Sequence, residues 1–291
     1  MTRPGGLALA ILLPVLASCT PAGPAAAPDD VRYERIVSLA PNLTELVFAA
    51  GAGDRLVGVS AYSDYPPAAG QLPVVGDAFT IDRERLALIA PDALFVWKSG
   101  TPAHTVDELR AAGFTVEVLK TQGLADIAAT LRRIGHLTGK VETAARTADD
   151  FLAAIEALER KYADRPAITV FYQVSKRPLF TINGRHFVGE LITLCGGRNV
   201  FADLEELAPT IDVEAVVARN PEVMLASTDG GAEAFDEWSR WPALAANRYG
   251  NHFRIPADEI GRATPRLIVA AEAMCEALDV ARQRRAAVIA G

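Results

Sequence analysis

Ile81-Asp82-Arg83-Glu84 is followed by Pro91 seven residues after the glutamate, and Ile211-Asp212-Val213-Glu214 is followed by Pro221 at the same interval. A β-rich apolar run follows each proline. Glu45-Leu46 precedes Gly51 by six residues counted from the glutamate, and Glu190-Leu191 precedes Gly196 by the same six. Two spacings repeated in the same order constrain the chain to fold as two similar units. If the copies face each other across an approximate two-fold axis, Glu84 and Glu214 occupy equivalent outer positions, within reach of a two-fold symmetric partner. An acidic side chain in a first helical turn is also favoured by the helix dipole alone, so both readings stand on the residues.

The type of unit follows from the alternation. Short β-rich runs (Ile36 to Leu39, Leu56 to Ser60, Ala93 to Trp97, Val116 to Leu119) alternate with helical patterns, as βα units around a mostly parallel sheet do. Past Pro166 the pattern resumes with strands at Ile168 to Gln173 and Val223 to Ser227, and helices at Phe187 to Leu194 and Val213 to Ala218. The expected fold class is α/β, with two similar lobes around central, mostly parallel sheets. A chain of 291 residues that is 50% apolar suffices for two modest cores.

From Lys140 to Ala163 no Gly or Pro intervenes, and Val141, Ala145, Ala148, Leu152, Ile155 and Leu158 recur at helical spacing. That predicts one rigid linking helix about 35 Å long. In the first lobe Asn42 with Glu45 predicts an N-cap pair, and Gly51 ends the stripe of Leu43, Leu46, Val47 and Ala50. Thr264-Pro265 predicts the cap and first residue of a last helix carrying Leu267, Ile268, Ala271, Met274, Cys275 and Leu278, with Arg282 to Arg285 as its solvated end.

The amino terminus carries Arg3, an apolar run from Leu7 to Ala17 and then small residues, a signal-peptide core too short to span a bilayer. Leu16-Ala17-Ser18-Cys19 resembles the bacterial lipobox, whose cysteine is lipidated. The expected division is a signal peptide over 1–19, a tether over 20–34, a first lobe over 35–139, a linking helix over 140–163 and a second lobe over 164–285. The protein is thus expected to be exported, periplasmic or in the cell envelope, and held to a membrane through a lipid anchor only. With Cys19 assigned to lipid, Cys195 and Cys275 remain, in a compartment where disulfides persist. They are expected to be bonded, the alternative being two separate buried thiols. Lys plus Arg number 29 and Asp plus Glu 36, a net charge of -7 without long blocks of one sign, which leaves no footprint for nucleic acid.

Five segments carry a more specific likeness: Arg35 to Gly51 (RIVSLAPNLTELVFAAG), Ser60 to Ala69 (SAYSDYPPAA), Trp97 with Lys98-Ser99-Gly100, Cys195-Gly196-Gly197, and Arg262-Ala263-Thr264-Pro265-Arg266. Together, in order from Arg35 to about Ala281, they resemble the periplasmic cobalamin-binding proteins of bacterial ABC importers, in the class III, helical-backbone solute-binding superfamily. The resemblance implies limited lobe closure, a cleft binding a corrinoid (cobalamin or cobinamide), no cofactor, and a monomer delivering its small-molecule solute to the permease transmembrane dimer. It implies the Cys195–Cys275 bond again, and Glu84 and Glu214 as docking residues for permease arginines.

The same resemblance suggests Pro41 and Asn42 as the cleft floor, Tyr62 and Trp97 from the first lobe, Phe180 from the second, and Asp258 and Arg262 near the last helix. Flat aromatic faces suit a broad apolar ring edged with amides, while Asp, Arg and backbone groups meet the amides. Without the resemblance, Trp97, Tyr62 and Phe180 read equally as half-buried core aromatics. Two family tryptophans align with Ala78 and Ala208, and Phe79 is the candidate to replace the first. Haem or a ferric siderophore therefore stays open as the solute, and among the histidines His104 and His186 lie in segments that can face the cleft. No CxxC or HExxH spacing exists, so no metal ligand is expected. An exported enzyme is a remote alternative, because no nucleophile elbow, phosphate-cradling loop or Ser/His/acid set is assembled by sequence. A cell-surface module binding a protein partner in its cleft is another.

Overall fold

All of Ala93–Trp97 and the first four residues of Val223–Ser227 are apolar at consecutive positions, which suits strands covered by helices on both sheet faces, and the first four residues of each are buried. A computed structural model describes residues 1–2, 32–77 and 80–290. The signal segment, Cys19, most of the tether, Ala78 and Phe79 lie outside the described residues. From Arg32 onward the chain is one compact unit.

In the first lobe β1 (Ile36–Ser38), α1 (Pro41–Ala49), β2 (Leu56–Val59), α2 (Arg83–Ile89), β3 (Ala93–Trp97), α3 (Ala103–Ala111), β4 (Val116–Leu119) and α4 (Leu124–Thr138) follow in order. Their strands form a parallel sheet in the order β2-β1-β3-β4. Its core holds Val37, Leu86, Leu94, Val96 and Leu109, all fully buried.

α5 (Val141–Tyr162) leads to the second lobe: β5 (Ile168–Gln173), β6 (Ser175–Lys176), β7 (Leu179–Phe180), α6 (Phe187–Leu194), β8 (Gly197–Asn199), α7 (Val213–Arg219), β9 (Val223–Ser227), α8 (Ala245–Tyr249), β10 (His252–Ile255), α9 (Ala257–Ile260) and α10 (Leu267–Ala290). Here the parallel order is β10-β9-β5-β8, and β6 and β7 form a separate antiparallel hairpin. Phe171, Phe201 and Trp238 meet edge-on in its core.

The repeat is visible in the caps. Asp82 accepts from the Arg85 N–H at 2.8 Å and Asp212 from the Ala215 N–H at 2.6 Å, so each opens a seven-residue helix. Both helices end on a left-handed residue, Ala90 at φ 49° and Asn220 at φ 42°. Gly51 (φ 79°) and Gly196 (φ 70°) likewise close α1 and α6.

Four local expectations are corrected. Asn42 does not cap α1: the helix opens at Pro41 with Ala40 as cap, and Asn42 Nδ2 donates to Thr121 Oγ1 at 3.2 Å instead. The linking helix buries Ala144, Ala148, Phe151, Ile155, Leu158 and Tyr162, a face rotated from the expected stripe, and Val141 is exposed. Thr264 does not cap the last helix either, since its buried Oγ1 has no hydrogen-bond partner and α10 begins three residues later, after a turn through Pro265.

Finally, Arg282 to Arg285 is no solvated end. Arg282 is buried and donates to the carbonyls of Pro166 and Cys195 and to Asp279, while Arg285 donates to the Ala167 carbonyl and Glu222. These bonds tie α10 to the second lobe, and the helix continues past the expected boundary to Ala290. Cys195 and Cys275 are joined by a disulfide.

Candidate functional site

Loops at the carboxyl ends of parallel strands are where open α/β sheets leave a crevice. In the first lobe the ends of β1, β2 and β3 frame a cavity of about 450 Å³, lined among others by Leu39, Pro41, Asn42, Ser60, Tyr62, Asp77, Trp97 and Thr101. Gly261, Arg262 and Ala263 of the second lobe complete its wall. A second cavity, of about 560 Å³, lies at the ends of β5 and β9 against Tyr172, Gln173, Lys176, Ser227 and Asp229. Gly261 lines both, so the two open side by side as halves of an interlobe cleft.

Tyr62 is held at φ 65° and is 80% exposed. A left-handed tyrosine costs about 1 to 3 kcal/mol of backbone strain and is found where a site over-determines it. Trp97, the last residue of β3, is half-buried, and its indole N–H is buried without an acceptor. Its ring lies against Gly100, where a Cβ would sit 2.2 Å from the indole carbons, so only glycine fits there. The cavity thus offers two aromatic side chains, Tyr62 and Trp97.

Arg262 reaches across the cleft. Its guanidinium donates to Glu45 at 2.7 Å, to Asp64 at 2.6 Å and to the Tyr62 carbonyl at 3.1 Å, all in the first lobe. Arg266 donates to the same Glu45 oxygen at 3.2 Å and to Glu259 at 2.8 Å, and stacks over the Tyr65 ring at 3.9 Å. The hydrogen bond from Arg262 holds the Asp64 carboxyl below its ordinary range. Desolvation, which would lower the Arg262 pKa, is outweighed by its bonds to Asp64 and Glu45, and the pKa rises.

Of the residues expected from sequence, Pro41, Asn42, Tyr62, Trp97 and Arg262 line one cavity. Phe180 and Asp258 line neither half of the cleft. Phe180 is half-buried in the β6–β7 hairpin, paired with Ser175 and bridged to Thr210, and Asp258 is exposed in α9. Glu84 and Glu214 stand exposed in the first turns of α2 and α7. His104 is exposed on α3. His186 caps α6 by accepting from the Val188 N–H, and burial pushes its pKa down to about 4. Neither histidine lines the cleft. Sequence reasoning missed Glu45 and Asp64 as partners of Arg262; both lie within quoted motifs, but nothing local signals a partner about 200 residues away. Among the described residues no group of three or more His, Cys, Asp or Glu could hold a metal ion.

Two α/β lobes with a shared cleft at facing strand ends define a two-lobed binding protein. The chain belongs to the periplasmic binding protein family, whose pattern matches residues 36–259. It is 37% identical over 252 residues to a protein of Vibrio cholerae serotype O1 named vitamin B12-binding protein, covering 86% of this chain and 91% of that one. The crystal structure of the periplasmic vitamin B12 binding protein BtuF of Vibrio cholerae matches with a TM-score of 0.79 and 36% identity, over 87% of this chain and 99% of that chain. The periplasmic heme-binding protein RhuT from Roseiflexus sp. RS-1 matches with a TM-score of 0.73 and 25% identity, over 85% and 99%.

Proposed function

We propose that the protein captures a corrinoid, cobalamin or cobinamide, between its lobes and delivers it to the permease of an ABC importer. The observation that carries this reading is the 37% identity to a vitamin B12-binding protein over nearly the whole folded chain. The cavity supports it: Tyr62 and Trp97 line it and supply flat apolar contact. Delivery involves Glu84 and Glu214, exposed at repeat-equivalent places, pairing with permease arginines; such pairs act on encounter and orientation and weaken with salt. Cys19 carries the lipid anchor, the protein acts as a monomer, and it turns over no substrate.

Phe180, Phe79 and Asp258 enter this proposal as residues that meet the larger parts of the solute on lobe closure. One observation favours haem as a second reading: the Tyr62 phenol stands exposed at the cavity and can offer an oxygen to iron. Absorbance titration of the purified protein with cyanocobalamin, cobinamide and haemin in parallel separates the two. Saturation by a corrinoid at one per chain is expected; saturation by haemin alone would replace the corrinoid with haem.

A further inference from the structure

Arg262 is the one arginine lining the first-lobe cavity among the described residues, yet its charge is already met. Its Nη1 lies between Glu45, 3% exposed, and Asp64, 67% exposed, both within ordinary ion-pair distance. Arg266 shares Glu45 and adds Glu259. Two arginines face three carboxylates, so the cluster at the cleft mouth carries one net negative charge. The other charged residue lining this cavity is Asp77, and the second-lobe half is lined by one cation and one anion, Lys176 and Asp229. The Lys176 ammonium already donates to the Glu233 carbonyl at 2.6 Å.

A guanidinium has five N–H donors, and three of the Arg262 bonds are accounted for above. It can therefore still donate to a neutral carbonyl while offering no uncompensated positive charge. A carboxylate brought to the same guanidinium meets the Asp64 and Glu45 carboxylates already bound there, and like-charge juxtaposition is how sites reject wrong partners.

We propose that Glu45 and Asp64 neutralise Arg262 so that the site selects rings edged with neutral amides and rejects the same ring bearing carboxylates, with Asp64 as a specificity-determining residue. The inference rests on the corrinoid reading for its ligand but concerns charge and not ring type. Its test is titration of the wild-type protein and Asp64→Asn with cobinamide and with a corrinoid whose peripheral amides are hydrolysed to acids. Wild type should bind the acid form at least about tenfold more weakly, with the gap shrinking as salt is raised and narrowing several-fold in Asp64→Asn. Asp64 is largely exposed, so the variant should fold, and Glu45→Gln gives a second reading of the same gap. Equal affinity for amide and acid forms, or a gap that neither salt nor either variant alters, would overturn the proposal. If neither corrinoid binds, the corrinoid reading fails, and haemin against its dimethyl ester puts the same charge question: equal binding of those two, or of neither, overturns the selection by charge as well.

Discussion

Glu45 and Glu190 hold the same place in the two repeats and have different fates. Glu45 on α1 is almost fully enclosed and pairs with Arg262 and Arg266 across the cleft mouth. Glu190 on α6 is half-buried and accepts from the Leu124 N–H at 2.7 Å, at the amino terminus of α4 in the first lobe. Each glutamate reaches into the opposite lobe, one through arginines and one through a helix end. The residue before each repeat glycine differs too. It is Ala50 in the first lobe and the disulfide-bonded Cys195 in the second. Nearby, Thr147 of α5 donates to the Ala49 carbonyl, and Arg282 of α10 donates to the Cys195 carbonyl. By contrast α2 and α7 agree in length, cap, left-handed end and exposed glutamate. The copies agree on their outer helices and diverge around the cleft and along the long helices, as expected if a symmetric partner constrains the first and an asymmetric solute the second.

That contrast can be broken in several ways. The largest effect should come from the staple present in the second lobe. Replacing Cys195 and Cys275 by serine opens a loop spanning 80 residues and should cost about 4 kcal/mol in chemical denaturation. Next comes Glu45→Gln, which leaves two partly buried arginines short of a carboxylate and should cost about 3 kcal/mol. The matching change Glu190→Gln should do much less.

The Glu190 pair also has a sign in pH. Desolvation raises the Glu190 pKa, opposed by the Leu124 N–H and reinforced by Asp126. A carboxyl raised in the folded state contributes stability that is present below its unfolded pKa and is lost as pH rises through the folded one. Wild-type stability should therefore fall slightly over that acidic window relative to Glu190→Gln, whose profile should be flatter. The smallest effects should be the caps. Asp82→Ala and Asp212→Ala should each cost about 1 kcal/mol and agree within a few tenths; a clear inequality would show that the repeat is similar in shape but not in energetics.

Much of this was legible in the sequence because it is written locally. Ala93–Trp97, Ile168–Gln173, Phe187–Leu194 and Val223–Ser227 follow from apolar runs with marked ends, and the linking helix from an uninterrupted stretch. Asn42 and Thr264 misled because a cap motif states only what a side chain can do, whereas burial decided what each does. The charge state of Arg262 was illegible because its partners lie about 200 residues away and are brought close only by the meeting of the lobes. The β6–β7 hairpin was unreadable for a simpler reason, since two-residue strands have no periodicity to detect.

Equilibrium dialysis of cyanocobalamin against wild type, Trp97→Ala and Trp241→Ala puts capture in the cleft to the most direct test. Trp241 lines a separate, smaller cavity of the second lobe and serves as the control. Wild type should bind one molecule per chain, Trp97→Ala should weaken binding about tenfold or more, and Trp241→Ala should leave it near wild type. Failure of wild type to bind, or loss of binding through Trp241 and not Trp97, would contradict it.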